Sequence, residues 1–126
     1  MAQSLVVAPG EYAVVQLDAL APLPDWLPQA PFWTASRADD ELSIVCNAEV
    51  VPFDVSHESG WRLLRLRGPF PFDLSGILES VLAPLAAAGI GIFAISTFNT
   101  DYLLVKHASL TAAIVALRGA GHEVFE

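Results

Sequence analysis

The chain is poor in cysteine, poor in charge and poorer still in positive charge. A single cysteine, Cys46, stands among 126 residues, so no disulfide can form within the chain and a reducing, cytoplasmic setting is expected. Cys46 closes the apolar run LSIVC and reads as a buried structural thiol rather than a nucleophile. Charged residues make up 16% where about 25% is usual, and hydrophobic residues reach 54%. A chain so apolar can offset its ordering entropy by burial, which excludes disorder. Six bases against 14 acids leave a formal charge of −8, which argues against nucleic acid and anionic membranes as partners. Arg62, Arg65 and Arg67 are split by strand alternation and do not share one face.

Catalytic signatures are missing as well. His57, His107 and His122 follow no metal-ligand spacing, and no second cysteine helps them. His107 and His122 fall at loop or helix ends, where surface histidines are ordinary. There is no phosphate-binding glycine loop and no nucleophile elbow. The expectation is a non-catalytic protein without metal or cofactor. The first residues, MAQSLVVAPGEY, lack the positive n-region and the long apolar run of a signal peptide.

What is abundant is apolar sequence, and it needs a destination. From Ser80 to Thr100 no residue is charged, about the length of a spanning helix. Pro84, Gly89 and Gly91 interrupt that stretch, polar residues crowd its end, and no basic cluster flanks it. A membrane span is therefore not expected. The length allows one domain, or two very small units sharing a core.

The second half has a clear order. Trp61 to Leu66 reads as a strand, closed by Gly68-Pro69. Asp73 is placed to cap a helix carrying Leu74, Ile77, Leu78, Val81, Leu82 and Leu85 at spacings of three and four. Pro84 should kink or loosen this helix, and Gly89 should end it. The period then becomes two: Ile92 to Thr97 and Tyr102 to Lys106 form a hairpin across FNTD. Ser109 can cap a helix with Leu110, Ala113, Ile114 and Leu117 as its stripe, and Glu123 to Phe125 is a last strand. The order β-α-β-β-α-β predicts an α+β, ferredoxin-like unit.

The first half repeats this order in reduced form. WTASRADDE (Trp33 to Glu41) aligns without gaps on FAISTFNTD (Phe93 to Asp101), and LSIV then falls on YLLV. YAVVQL corresponds to WRLLRL, and PFDVSHE would supply a fourth strand. Between its first two strands stands only APLPDWLPQAP, whose prolines leave room for one or two helical turns. The expectation is two tandem units, residues 1–60 with shortened helices and residues 61–126 complete.

Two constellations suit a small ligand. In GPFPFDLSG, Gly68 permits close backbone approach, the prolines hold the loop extended, and a helix start near Ser75 and Gly76 offers N–H groups suited to a carboxylate. Phe70 and Phe72 serve equally well as staples of that helix to the core. In STFNTD, Asn99 and Asp101 are ordinary turn formers, Phe98 either packs back or covers a pocket, and Asp101 can receive an ammonium group.

The strings GPFPFDLSGIL, GIFAISTFNTDYLLVK and AGHEV resemble the small tandem ACT-domain proteins of bacteria and the ACT modules of animal arginine sensors. The resemblance covers most of Tyr12 to Val124. It implies two βαββαβ ACT units used as a regulatory amino-acid-binding module, with ligand often held between two ACT units. Carried over, it implies ligand-side positions in the loop Pro69 to Gly76, which includes Pro69, Phe70, Pro71, Ser75 and Gly76. The turn residues Phe98, Asn99, Thr100 and Asp101 match the other side. The implied ligand is an amino acid or similar zwitterion, in a homodimer that answers to a regulated protein partner. The alternative is a ligand-free interaction module, in which the same architecture serves pairing alone.

Overall fold

A computed structural model describes residues 2–126. Its strands are β1 (Ser4–Val7), β2 (Tyr12–Leu17), β3 (Trp33–Arg37), β4 (Leu42–Asn47), β5 (His57–Leu66), β6 (Phe93–Ser96), β7 (Asp101–Lys106) and β8 (Glu123–Phe125). The helices are α1 (Ile77–Ala87) and α2 (Leu110–Gly119). The chain divides into two units, Gly10–Trp61 and a second made of the stretch up to Pro9 with Arg62–Glu126. Both are ferredoxin-like in strand order.

In Gly10–Trp61 the order is β3-β4-β2-β5, all antiparallel. The helices of the pattern shrink to single 3-10 turns, Leu27–Gln29 with proline in its first turn and Ala48–Val50. Proline fits there because the first N–H groups of a helical turn have no partner inside it. Strand alternation sends Ala13, Val15, Leu42, Ile44 and Cys46 to one face, and Leu27 with Ala30 covers it. The fourth strand does not lie where PFDVSHE suggested. Pro52 to Ser56 is a turn region, closed by Val55 N–H donating to the Pro52 carbonyl at 3.1 Å, and pairing begins at His57. The strand expected at Trp61–Leu66 is thus a ten-residue strand from His57. Gly60, at φ 85°, tolerates the irregular register beside Tyr12.

Cys46 is fully buried in that core, and burial pushes its thiol from 9.0 up to about 11. The folded protein should therefore resist thiol alkylation at pH 8 and react only when unfolded. Ionisation of the unfolded thiol begins near 9.0 while the folded thiol stays protonated until about 11. Stability should then fall by about 2–3 kcal/mol across that window, where Cys46→Ala shows no such fall. Urea melts at pH 8 and pH 11 of both proteins read the difference.

In the second unit the order is β6-β7-β5-β1-β8, with α1 and α2 packed on the sheet. Leu5, Leu64, Leu66, Leu103 and Val105 meet Val81, Leu85, Ala113 and Leu117 in the core. β1 has no counterpart in the sequence reading. It inserts between β5 and β8, the first and last strands of the βαββαβ pattern, antiparallel to β5 (Leu5 opposite Leu66) and parallel to β8 (Leu5 opposite Val124). SLVV is short, and its partners lie far along the chain, so no local pattern announces it.

Pro84 sits inside α1 and has no N–H for the Ser80 carbonyl four residues back. His122 answers that deficit. Its Nε2 lies 2.8 Å from the Ser80 carbonyl, while its Nδ1 accepts from the Gln3 N–H at 2.9 Å. His122 is 5% exposed, so the surface position expected for it is wrong, whereas His107 is exposed as expected.

Candidate functional site

α1 begins three residues later than Asp73-Leu74 would have it. Leu74 N–H closes a turn onto the Pro71 carbonyl at 3.2 Å, Asp73 stays in that turn, and Gly76 stands at the N-cap with φ 83°. A left-handed residue costs glycine little, which fixes the helix start there. No side chain caps it; Ser80 instead turns back on the Ile77 carbonyl at 2.6 Å. The first N–H groups carry no side-chain cap and the helix dipole makes this end partly positive, offset by the Glu79 carboxylate in the first turn. Ser109 likewise occupies the N-cap of α2 without a side-chain capping bond.

The loop before α1 is tied to the β6–β7 turn. Phe70 N–H donates to the Asn99 carbonyl at 2.8 Å, and Thr100 Oγ1 donates to the Leu66 carbonyl at 2.7 Å. The turn itself is closed by Thr97 N–H on the Thr100 carbonyl at 2.8 Å. Gly68 makes this approach possible: a Cβ there would lie 2.8 Å from the Asn99 carbonyl oxygen and 3.2 Å from Thr100 Cβ. At the rim, Phe72 and Phe98 meet edge to face, centroids 4.9 Å apart, and remain 77% and 78% exposed. Phe98 therefore covers a depression rather than filling the core, and Phe72 does not staple the helix. Phe70 does pack against the core.

Loop, turn and helix start enclose an open depression of about 330 Å³. Of the sequence-predicted site residues, Phe70, Pro71 and Gly76 line it from one side and Phe98, Asn99, Thr100 and Asp101 from the other. Pro69 and Ser75 are exposed and do not line it. Ile77, Leu78 and Glu79 also line it and went unnoticed, because a helix begun at Asp73 puts them past its first turn. The φ-permissive Gly76 was the available signal. Asp101 accepts a hydrogen bond from Ser96 Oγ at 2.5 Å through one oxygen, which fixes its carboxylate in the depression. The depression thus brings together the start of α1, the carboxylates of Asp101 and Glu79, and the apolar side chains of Phe70, Ile77, Leu78 and Phe98. Among the described residues no three His, Cys, Asp or Glu side chains group as a metal site would require.

A family model described as the ACT domain matches residues 56–119, and one for an N-terminal domain matches residues 10–54. The chain belongs to the ACT-domain family. Over 96 residues it is 38% identical to a mouse protein named cytosolic arginine sensor for mTORC1 subunit 1, an alignment covering 70% of this chain. The chain spans 29% of the length of that relative. A solved structure of an Agrobacterium tumefaciens protein is 40% identical, with a TM-score of 0.93, and covers 99% of this chain and 93% of that one. Clostridium acetobutylicum aspartate kinase, described as an allosteric enzyme, shares the fold alone. Its identity is 13% and its TM-score 0.66, over 87% of this chain and 32% of the kinase. No helix among the described residues is long and apolar enough to cross a membrane.

Proposed function

We propose that this chain is a non-catalytic regulatory module that binds a free amino acid, or a similar zwitterion, in the depression at the start of α1. One observation supports the reading most. An uncapped helix start and a held carboxylate face the same depression, as the two charged ends of an amino acid require. The ligand carboxylate sits on the N–H groups near Gly76 and Ile77, and the ammonium meets Asp101 and nearby carbonyls. Phe98 covers the apolar part. The exposed pair Phe72 and Phe98 gives the depression an open mouth, which a second ACT unit from a partner copy closes in a homodimer. Binding then changes the affinity for a regulated protein in the cytoplasm, since a ligand shifts an equilibrium only through its differential affinity for the two states. The two units expected at residues 1–60 and 61–126 act as the two ACT units of this reading, with the stretch up to Pro9 joining the second.

Calorimetry of the folded chain against the twenty amino acids tests it. At least one should bind, and Asp101→Ala should weaken it about 10–100-fold, the worth of one charge-assisted hydrogen bond. Heat with none of them defeats the reading. Asp101→Ala with unchanged affinity removes the assigned ammonium site. A ligand-free pairing module would instead assemble normally with Asp101→Ala and bind nothing.

A further inference from the structure

A second surface lies on the Gly10–Trp61 unit, at the end of its sheet where β2 finishes. Register places three connections there. Leu17 ends β2 opposite Leu42, Arg37 ends β3 opposite the same Leu42, and His57 opens β5 opposite Val15. The segments 18–21, 38–41 and 52–56 therefore leave the sheet at one end. Two of them carry large apolar side chains turned fully to solvent, Leu20 at 94% and Phe53 at 96% exposure.

These tips are held, not loose. The Arg37 guanidinium donates to the Ala19 and Ala21 carbonyls, on both sides of Leu20, the second at 2.6 Å. The Phe53 loop is closed by the Val55 N–H on the Pro52 carbonyl, by the His57 ring nitrogen Nδ1 2.6 Å from the Val55 carbonyl, and by the Gln16 N–H on Ser56. Leu17 and Val55 beside them pack on the core. An apolar side chain that gains nothing by exposure normally folds back; here the backbone is pinned so that its neighbours do and it does not.

Charge selects the partner. Asp18, Asp39, Asp40, Glu41 and Asp54 stand on the same three connections. Gly10–Trp61 holds nine carboxylates and one Lys or Arg, Arg37, which the Leu20 loop occupies. The other unit has five acids and five bases, so the whole charge of −8 resides here. Two such ends repel each other, and an anionic lipid surface is repelled as well.

We propose that this end docks a partner protein whose contact surface is basic, with lysines or arginines around an apolar recess that takes Leu20 and Phe53. This is independent of amino-acid binding.

The test titrates the full ¹⁵N-labelled chain with a short amphipathic lysine–leucine peptide, following amide shifts. Shifts should concentrate in 18–21, 38–41 and 52–56. Affinity should fall at least tenfold when glutamine replaces the peptide's lysines, and at least tenfold again in Leu20→Ser/Phe53→Ser. Both side chains are exposed, so the double variant should keep its fold, which its unchanged remaining spectrum checks. Shifts scattered over all acidic residues and indifferent to the double variant would reduce the effect to bulk charge and overturn the proposal. Shifts centred on Phe72 and Phe98 overturn it too. So do concentration-dependent shifts at this end without peptide, which make a second copy the occupant.

Discussion

Replacing His122 by alanine should cost about 3–4 kcal/mol of stability and lower the midpoint of thermal unfolding by about 10 °C. The size of the effect comes from what the ring leaves behind. A backbone N–H can only donate, so Nδ1 accepts from Gln3 and the hydrogen sits on Nε2, aimed at the Ser80 carbonyl. Alanine strands both backbone groups in a site that is 5% exposed at present, and each unpaired buried group costs about 1–3 kcal/mol. Pro84 makes the second loss unrecoverable, because the helix itself has no N–H to offer Ser80. Pro84 and His122 should therefore be energetically coupled. Pro84→Ala supplies the missing donor, so it should restore at least about 1 kcal/mol to His122→Ala beyond what it gives the parent protein. Urea denaturation of the four proteins in that cycle measures it. Strict additivity would mean that Pro84 and His122 are unrelated.

Gly68→Ala should be strongly damaging for a single added methyl. The added Cβ would meet the Asn99 carbonyl oxygen at 2.8 Å, the Phe70 nitrogen at 3.2 Å and Thr100 Cβ at 3.2 Å. None of these is the free end of a flexible side chain. Relief requires the loop and turn to part, which breaks the 2.8 Å bond from Phe70 to Asn99. A loss of about 1–3 kcal/mol follows from the overpacking, together with loss of the proposed amino-acid binding, because the two walls of the depression move apart. Gly91→Ala is the control: nothing lies within 4 Å of its Cβ, so it should be neutral or slightly stabilising. Equal stabilities of the two variants would show that the loop does not depend on that close approach.

Much of this was legible in the residues because the informative contrasts are local. The change of period at Gly91 separated α1 from the β6–β7 hairpin, and the prolines of residues 22–31 announced that the first unit could hold only short helical turns. The gapless match sixty residues apart likewise tied β3 and β4 to β6 and β7, and both pairs are antiparallel neighbours. What was missed depends on distant or backbone partners. β1 is four residues long and earns its place only through β5 and β8. His122 looked like a surface residue because both of its partners are main-chain groups, although Pro84 already implied an orphaned carbonyl at Ser80. The start of α1 was misplaced because Asp73 and Leu74 fit the helical pattern, while the left-handed glycine at 76 decided the outcome. That shift hid the first-turn residues Ile77, Leu78 and Glu79, whereas Phe70, Pro71, Gly76 and residues 98–101, expected from loop and turn, line the same depression.

The central claim is that an amino-acid carboxylate rests on the start of α1. The most direct test follows the backbone ¹⁵N–¹H signals of Ile77, Leu78 and Glu79 while a calorimetrically identified amino acid is added. These amides should move most, together with those of residues 96–101, and the corresponding amine without a carboxylate should leave them in place. Saturable binding that leaves the three helix-start amides unmoved would contradict it.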